Sequence, residues 1–156
     1  MTRDLEFEET YPFPPERVWR AITDSAAIAD WLMPNDFQPV VGHRFRFVSK
    51  PMPGWDGIVH CEVLEVDPPR RLVYSWNSGN GSVNTTVRWT LEPVASGTQL
   101  RLEQTGFRGA KALMISYFMG SGWKGIIRKH ILAAIGRVDA ATGVYTSAGP
   151  LHDHCK

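Results

Sequence analysis

The stretch VNTTVRWTLEPVASGTQLRLEQT, residues 83–105, contains two runs of alternating apolar and polar residues joined by a turn. In the first run Trp89 and Leu91 lie on an apolar face, with polar residues between them. In the second run Leu100 and Leu102 alternate with polar residues in the same way. This period of two predicts antiparallel strands that have one face toward a core and one toward solvent.

The same alternation appears in three earlier segments of the chain, LEFEETY (5–11), RFRFV (44–48) and LVYSW (72–76). A fourth segment, IVHCEVLEV (58–66), is long and apolar enough to be a central strand, and its sequence does not decide which face each residue takes. Short turn-forming segments separate the last five strands, among them SKPMPGWDG (49–57), which reads as a turn. We therefore expect an antiparallel meander of five strands, with the first strand pairing at the far side of the sheet.

Two short helices are predicted in PPERVWRAITDSAAIADWLMP, residues 14–34. Prolines suit the first turn of a helix, and Ser25 is expected to cap the second helix. Trp31 lies near the end of that second helix. We expect the pair of helices to close one mouth of an apolar cavity.

A long amphipathic helix is predicted near the C-terminus. Its apolar stripe is spaced by three and four residues and consists of Trp123, Ile127, Ile131, Ala134 and Val138. Three glycines between residues 120 and 125 weaken helix formation, so the firm start is expected near Trp123. The preceding segment, residues 106–120, is flanked by glycines and rich in methionine and aromatic residues, and we interpret it as a flexible lid.

Composition limits the classes of protein and of partner. The chain has 156 residues, 43% hydrophobic and 21% charged, which suits one domain over residues 1–146 with a mobile tail at 147–156. A net charge of +1 gives no general attraction to nucleic acid, and no apolar run approaches the ~20 residues of a membrane span. Without an apolar signal segment we expect a cytoplasmic protein, with Cys61 and Cys155 as reduced thiols.

The order of these elements, together with several segments, resembles the helix-grip fold of the START-like superfamily. The matching segments are PPERVWRAITD, FQPVVGHRFRF, EVLEVDPPRRLVYSW, VRWTLEP, GTQLRLEQTGF and a GW pair before the last helix. The chain is most similar to the bacterial branch related to the C-terminal domain of the activator of Hsp90 ATPase, over residues 4–140. The resemblance implies an α+β fold whose curved sheet wraps the C-terminal helix. It also implies binding of lipids, sterols, polyketides or other apolar molecules between the two.

Inward-facing aromatic residues are the main candidates for ligand binding, although the same residues could simply pack against one another. The aromatic candidates are Trp31, Phe45, Phe47, Tyr74, Trp76, Trp89, Phe107 and Trp123, joined by Ile127 on the helix. Gln104 is a buried amide that either bonds a neighbour such as Tyr74 or orients a ligand. His130, at the edge of the helical stripe, either points into the cavity as a hydrogen-bonding or acid–base group or lies at an interface.

No catalytic motif and no cofactor-binding motif is recognisable in the sequence. The HDHC run, residues 152–155, has metal-ligand chemistry but no evident partner ligands, so we predict no metal site. The leading hypothesis is noncatalytic binding of a small, mainly apolar molecule by a carrier or sensor. The alternatives are a cyclase or hydrolase using His130, and a chaperone-related protein-interaction module. A homodimer through a sheet edge or the last helix stays open.

Overall fold

A six-stranded antiparallel sheet wraps around one long helix in the computed structural model, which describes residues 2–78 and 81–147. In chain order the elements are β1 (Thr2–Tyr11), α1 (Pro15–Thr23), α2 (Ser25–Trp31), β2 (Arg44–Val48), β3 (Ile58–Asp67), β4 (Arg71–Ser78), β5 (Val83–Val94), β6 (Gly97–Arg108), α3 (Ala110–Gly125), a π-helical turn (Ile126–His130) and α4 (Ile131–Gly136). The strands lie in the order β1-β6-β5-β4-β3-β2. The predicted α+β helix-grip fold is confirmed, including the meander and the place of the first strand beside β6.

The two short helices follow β1 as the sequence predicts. Pro14 and Pro15 stand at the start of α1, where a missing N–H costs little. The predicted cap of α2 is wrong by one residue, because the Asp24 carboxylate accepts hydrogen bonds from the N–H groups of Ala26 and Ala27 at 2.9 and 3.1 Å. The Ser25 hydroxyl instead donates to the loop that follows α2.

The long helix begins at Ala110, so the predicted firm start at Trp123 is wrong. Small residues at Ala112, Ser116 and Gly120 bring this part of the helix close to the sheet. A Cβ atom on Gly120 would already lie 3.4 Å from Leu5 Cδ2 on β1. Tertiary contact therefore stabilises a segment whose glycines would weaken it in isolation.

A π-helical turn interrupts the long helix at Ile126–His130. The N–H of Ile131 bonds to the carbonyl of Ile126, five residues back, which widens this turn. The Tyr11 hydroxyl, at the end of β1, donates to the carbonyl of Ile127 at 2.6 Å. The buried strand-end tyrosine thus ties β1 to the helix at the point where its regular hydrogen bonding changes.

The C-terminal half of the long helix is packed into the core. Ile127, Ile131 and Ile135 are each at most 2% exposed. Arg17 on α1 donates to the Ile135 carbonyl at 3.2 Å, near the helix C-terminus where carbonyls lack intrahelical partners. The sheet, α1 and the helix pack together around these residues.

Two predictions concern the end of the chain. Of the predicted mobile tail only Ser147 is described, and its hydroxyl donates to Asp30. The HDHC run and Cys155 lie outside the described residues.

Across residues 2–78 and 81–147, no three His, Cys, Asp or Glu side chains group as metal ligands, and no helix has the length and apolarity needed to cross a membrane.

Candidate functional site

A pocket of about 670 Å³ opens to solvent beside the N-terminal half of the long helix. Its floor includes Val59 on β3 and Trp76 on β4, both buried. Leu32 and Met33, just after α2, form part of the wall. This volume lies within the ~300–1,000 Å³ range of small-molecule sites in proteins.

One face of the long helix forms a wall of the pocket. Lys111, Ile115, Met119, Gly122 and Ile126 line it and are spaced by four, four, three and four residues, so they lie along one side of the helix. The neighbouring face carries the small residues that contact β1 and β6. Because the helix leans toward that side of the sheet, space is left on the opposite side, above β3 and β4.

The loop between β2 and β3 forms the opposite wall, which the sequence analysis interpreted only as a turn. Met52 and Trp55 bond to each other through both backbone groups at 2.9 Å, and the Trp55 indole N–H donates to the Ile58 carbonyl at 3.2 Å. Gly57 has φ of 83°, and a side chain there would collide with the backbone of Ser49. The large apolar residues within a Pro- and Gly-rich turn are the signal that could have revealed this wall.

Trp123 joins the pocket to a buried hydrogen-bond network. Its indole N–H donates to Gln104 Oε1 at 2.8 Å, and Gln104 Nε2 donates to the Thr85 hydroxyl at 2.9 Å. Thr85 in turn donates to the Trp76 carbonyl at 3.0 Å. Since an indole can only donate, it fixes which way the Gln104 amide points. Gln104 therefore holds Trp123, and its predicted partner Tyr74 instead accepts from Trp89 at 3.0 Å.

Seven of the eight predicted aromatic residues, together with Phe37, pack against one another. Ring centroids 5.0–5.8 Å apart connect a continuous series, namely Phe37, Phe45, Phe47, Trp76, Trp123, Trp89 and Trp31, and Tyr74 joins it through Phe45. Most of these contacts are edge-to-face or tilted, an arrangement that adds stability beyond area burial. The alternative left open by the sequence, mutual packing, describes most of this group.

The eleven candidate residues therefore separate into two sets. Trp76 and Trp123 line the pocket, whereas the rest do not. The buried residues outside its lining are Trp31, Phe45, Phe47, Tyr74, Trp89, Gln104, Phe107 and Ile127. Trp31 donates its indole N–H to the Ala21 carbonyl at 2.8 Å and so fastens α2 to α1.

His130 does not line the pocket, so of its two alternatives the one outside the cavity fits the structure. Its side chain is exposed to solvent. On a regular helix, residue 130 would lie on nearly the same face as Trp123. The wider π-helical turn at Ile126–His130 changes the angle between successive residues, and Ile127 and Ile131 stay on the buried side. The imidazole is thereby turned outward.

Of the predicted lid, residues 106–120, the first three end β6, and residues 110–120 belong to the long helix and contribute to the pocket as helix. Ile115 and Met119 line the wall, and Phe118 stands at the rim with 74% of its surface exposed. Met114 and Tyr117 are also exposed on this helix, and the Arg3 guanidinium lies 3.8 Å from the centre of the Tyr117 ring.

Burial keeps the core's weak acids neutral. It raises the pKa of the Tyr11 hydroxyl, with a smaller contribution from Glu9, and raises the pKa of Tyr74 despite the hydrogen bond from Trp89. Burial, with a smaller contribution from Asp36, also raises the pKa of the Cys61 thiol. Tyr11, Tyr74 and Cys61 are buried core residues, and none of them lines the pocket.

Comparison with known proteins gives a family and several structural relatives. The family model described as Activator of Hsp90 ATPase homolog 1-like protein matches residues 12–135. The crystal structure of protein MLL2253 from Mesorhizobium loti is 36% identical, with a TM-score of 0.78 and coverage of 88% of this chain and 99% of that chain. No curated protein matches the chain.

Two further structures are similar at lower identity. The solution structure of BH1534 from Bacillus halodurans is 26% identical, with a TM-score of 0.70 and coverage of 86% of this chain and 99% of that one. CalU16 from Micromonospora echinospora is 23% identical, with a TM-score of 0.66 and coverage of 86% and 76%, a likeness of fold alone.

Proposed function

The chain belongs to the family of Activator of Hsp90 ATPase homolog 1-like proteins, and we propose that it binds a small, mainly apolar molecule as a carrier or sensor. The binding site of this proposal is the pocket between the helix face at 111–126, the loop at 52–55 and the floor of β3 and β4. The observation that supports it is an apolar pocket of about 670 Å³ that is open to solvent and built on a rigid, packed base.

The side chains of the pocket suit adaptable apolar binding. Met33, Met52 and Met119 are flexible and polarisable, whereas Trp76 and Trp123 offer flat surfaces held by the core. Burying about 200 Å² of apolar ligand surface contributes roughly 5 kcal/mol before the cost of ordering the ligand. Affinity therefore depends on how completely the pocket covers the apolar surface of the ligand, and it needs no catalytic group.

The enzyme alternative loses the residue on which it rested. It required His130 inside the cavity, with a second polar group within hydrogen-bonding distance. His130 is exposed and lies outside the pocket lining.

The interaction-module alternative predicts an exposed apolar patch or a structured charged surface on the outer face of the sheet. The exposed large apolar residues of the strands are single ones, such as Leu64, whereas Met114, Tyr117 and Phe118 lie together on the long helix, beside the pocket. Exposed ion pairs such as Arg44–Glu62 join neighbouring strands, so a charged surface is the remaining form of this alternative.

Two measurements test ligand binding directly. Native mass spectrometry of the purified protein should show a retained small molecule or, after addition of an apolar library, new adducts. Tryptophan fluorescence should change on titration, because Trp55, Trp76 and Trp123 line the pocket.

A matched pair of glycine variants separates binding from stability. Gly122 lines the pocket and Gly125 does not, and a Cβ atom on either would meet nothing within 4 Å. Leucine at either position should stabilise the helix by up to about 1 kcal/mol relative to glycine. Gly122→Leu should then lose ligand adducts by filling the pocket, whereas Gly125→Leu should retain them. Equal binding by both variants, or binding by neither variant nor the parent, would contradict the proposal.

A further inference from the structure

The polar groups of the pocket are few and differ from one another in kind. Among the described lining residues, Lys111 is the one charged side chain and Ser78 the one hydroxyl. The rest of the lining is apolar or glycine. A binding site of this type takes most of its affinity from apolar contact and its orientation from the few polar groups.

Lys111 and Ser78 lie at the same end of the pocket. β4 and β6 both run antiparallel to β5, so they point in the same direction and end at the same edge of the sheet. Ser78 is the last residue of β4, and α3 begins two residues after β6 ends at Arg108. Lys111, in the first turn of α3, therefore stands at this edge with Ser78, while Trp123 and Ile126 line the pocket farther along the helix.

The charged side chain at this end of the pocket, Lys111, is a cation. Lys111 is exposed, and none of the ion pairs among the described residues includes it. The acidic side chain of the neighbouring loop, Asp56, is not part of the lining, and its Oδ1 accepts from the backbone N–H of Ile58 at 3.1 Å. A lysine of this kind lays its methylene stem along apolar surface and holds its ammonium group at the water boundary.

We infer that the ligand is an amphipathic carboxylate, whose apolar body fills the pocket and whose carboxylate meets the Lys111 ammonium and the Ser78 hydroxyl at the mouth. This inference rests on the proposed function and adds the chemical class of the ligand. A carboxylate gains an ion pair there, whereas an amine would meet a like charge. A neutral alcohol keeps the apolar contacts but lacks the charge attraction.

Matched pyrene probes test the inference. Pyrenebutyric acid and pyrenebutanol share the same apolar body and differ in the charge of the end group, and energy transfer from tryptophan to pyrene reports binding. At low ionic strength the acid should bind about fivefold more tightly than the alcohol, the range expected of a partly exposed ion pair. The advantage should shrink as salt is added, because salt screens exposed charges.

Three variants locate the effect. Lys111→Gln should remove the preference for the acid over the alcohol, and Lys111→Glu should favour pyrenebutylamine over the acid. Lys124→Gln is the control, since Lys124 is an exposed lysine on the same helix outside the lining. If the acid and alcohol bind equally to the parent protein, or if Lys124→Gln abolishes the preference as Lys111→Gln does, this inference fails and the proposed function stands. If neither probe binds, the proposed function fails with it.

Discussion

The long helix packs differently on the two sides of Trp123. After Trp123, the side chains of Ile127, Ile131 and Ile135 are buried, and Arg17 bonds to the end of the helix. Before Trp123, buried positions are occupied by Ala112 and Ser116, while larger apolar side chains on this part of the helix face the pocket or solvent. One half of the helix supplies core stability, and the other half is available for a ligand.

The junction between the two halves is held by polar contacts rather than by apolar packing alone. Gln104 holds the Trp123 indole from β6, and Tyr11 holds the Ile127 carbonyl from β1. Buried hydrogen bonds of this kind contribute modestly when made but are costly when one partner is left alone. These two hydrogen bonds therefore hold the helix in position where the packed core ends and the pocket begins.

The largest effect should come from a matched pair of isoleucines, one in each half. Ile131→Ala in the packed half should lower the free energy of unfolding by about 2–5 kcal/mol, because it leaves a cavity in the core. Ile115→Ala in the pocket wall should cost less than about 1.5 kcal/mol, since its side chain is already partly exposed. Urea unfolding of both variants measures the difference, and equal losses would mean that the two halves are not distinct.

Removal of the Gln104 amide should have the next largest effect. Gln104→Leu leaves the buried Trp123 N–H without its acceptor and removes the donor to the Thr85 hydroxyl, which keeps its bond to the Trp76 carbonyl, and this should destabilise the protein by about 2–3 kcal/mol. The Trp123 side chain should also become less fixed, which changes the tryptophan emission spectrum. Gln99→Leu, on the half-exposed face of the same strand, is the control and should change stability little. If Gln104→Leu changes neither the free energy of unfolding nor the emission spectrum, the network does not hold the junction between the two halves of the helix.

Tyr11→Phe tests the second contact of the junction. Loss of the hydroxyl leaves the Ile127 carbonyl without this donor and should cost about 1–2 kcal/mol near neutral pH. Tyr117→Phe, which changes a 65% exposed ring on the pocket half, is the control and should cost much less.

The same variant carries a prediction about pH. The pKa of Tyr11 is raised in the folded state from a reference of 10.0. The unfolded chain therefore loses its proton first, and the stabilising contribution is complete below pH 10 and declines as the pH rises above it. The stability difference between parent and Tyr11→Phe should shrink between pH 9 and pH 11 in urea unfolding. A difference that stays constant or grows over this interval would contradict the raised pKa of Tyr11 in the folded state.

The smallest effect on stability is expected at the rim of the pocket. Phe118→Ser removes a ring that is 74% exposed, so the free energy of unfolding should change by no more than about 0.5 kcal/mol. Retention of an apolar ligand should nevertheless fall, because the ring forms part of the pocket wall. Unchanged binding in native mass spectrometry would place the ligand away from this rim.

Much of the sheet could be predicted from sequence because alternation reports which way a strand residue faces. Phe45, Trp89 and Gln104 are buried as their positions in the pattern require. Alternation does not report whether an inward side chain meets another side chain or an empty space. The answer depends on how close the long helix lies to each part of the sheet. Small buried residues such as Ser116 let it approach strands that are distant in sequence. The candidate aromatics were therefore correctly placed inside but mostly not at the pocket.

The errors on the helix have a related cause. His130 was placed by the geometry of a regular helix, and the π-helical turn was not visible in the apolar spacing. The start at Ala110 was missed because intrinsic propensity disfavours a glycine-rich segment, whereas contact with Leu5 stabilises it. Both features lie where the helix contacts β1, the strand most distant from it in sequence.

The loop at residues 49–57 has a consequence for how this protein can diversify. Met52 and Trp55 shape the pocket, yet their backbone is held by local hydrogen bonds and by Gly57 rather than by the aromatic core. A substitution at the exposed Met52 can therefore reshape the pocket wall with little penalty to folding, whereas one at Trp55 also loses contact with the core and the indole hydrogen bond to the Ile58 carbonyl.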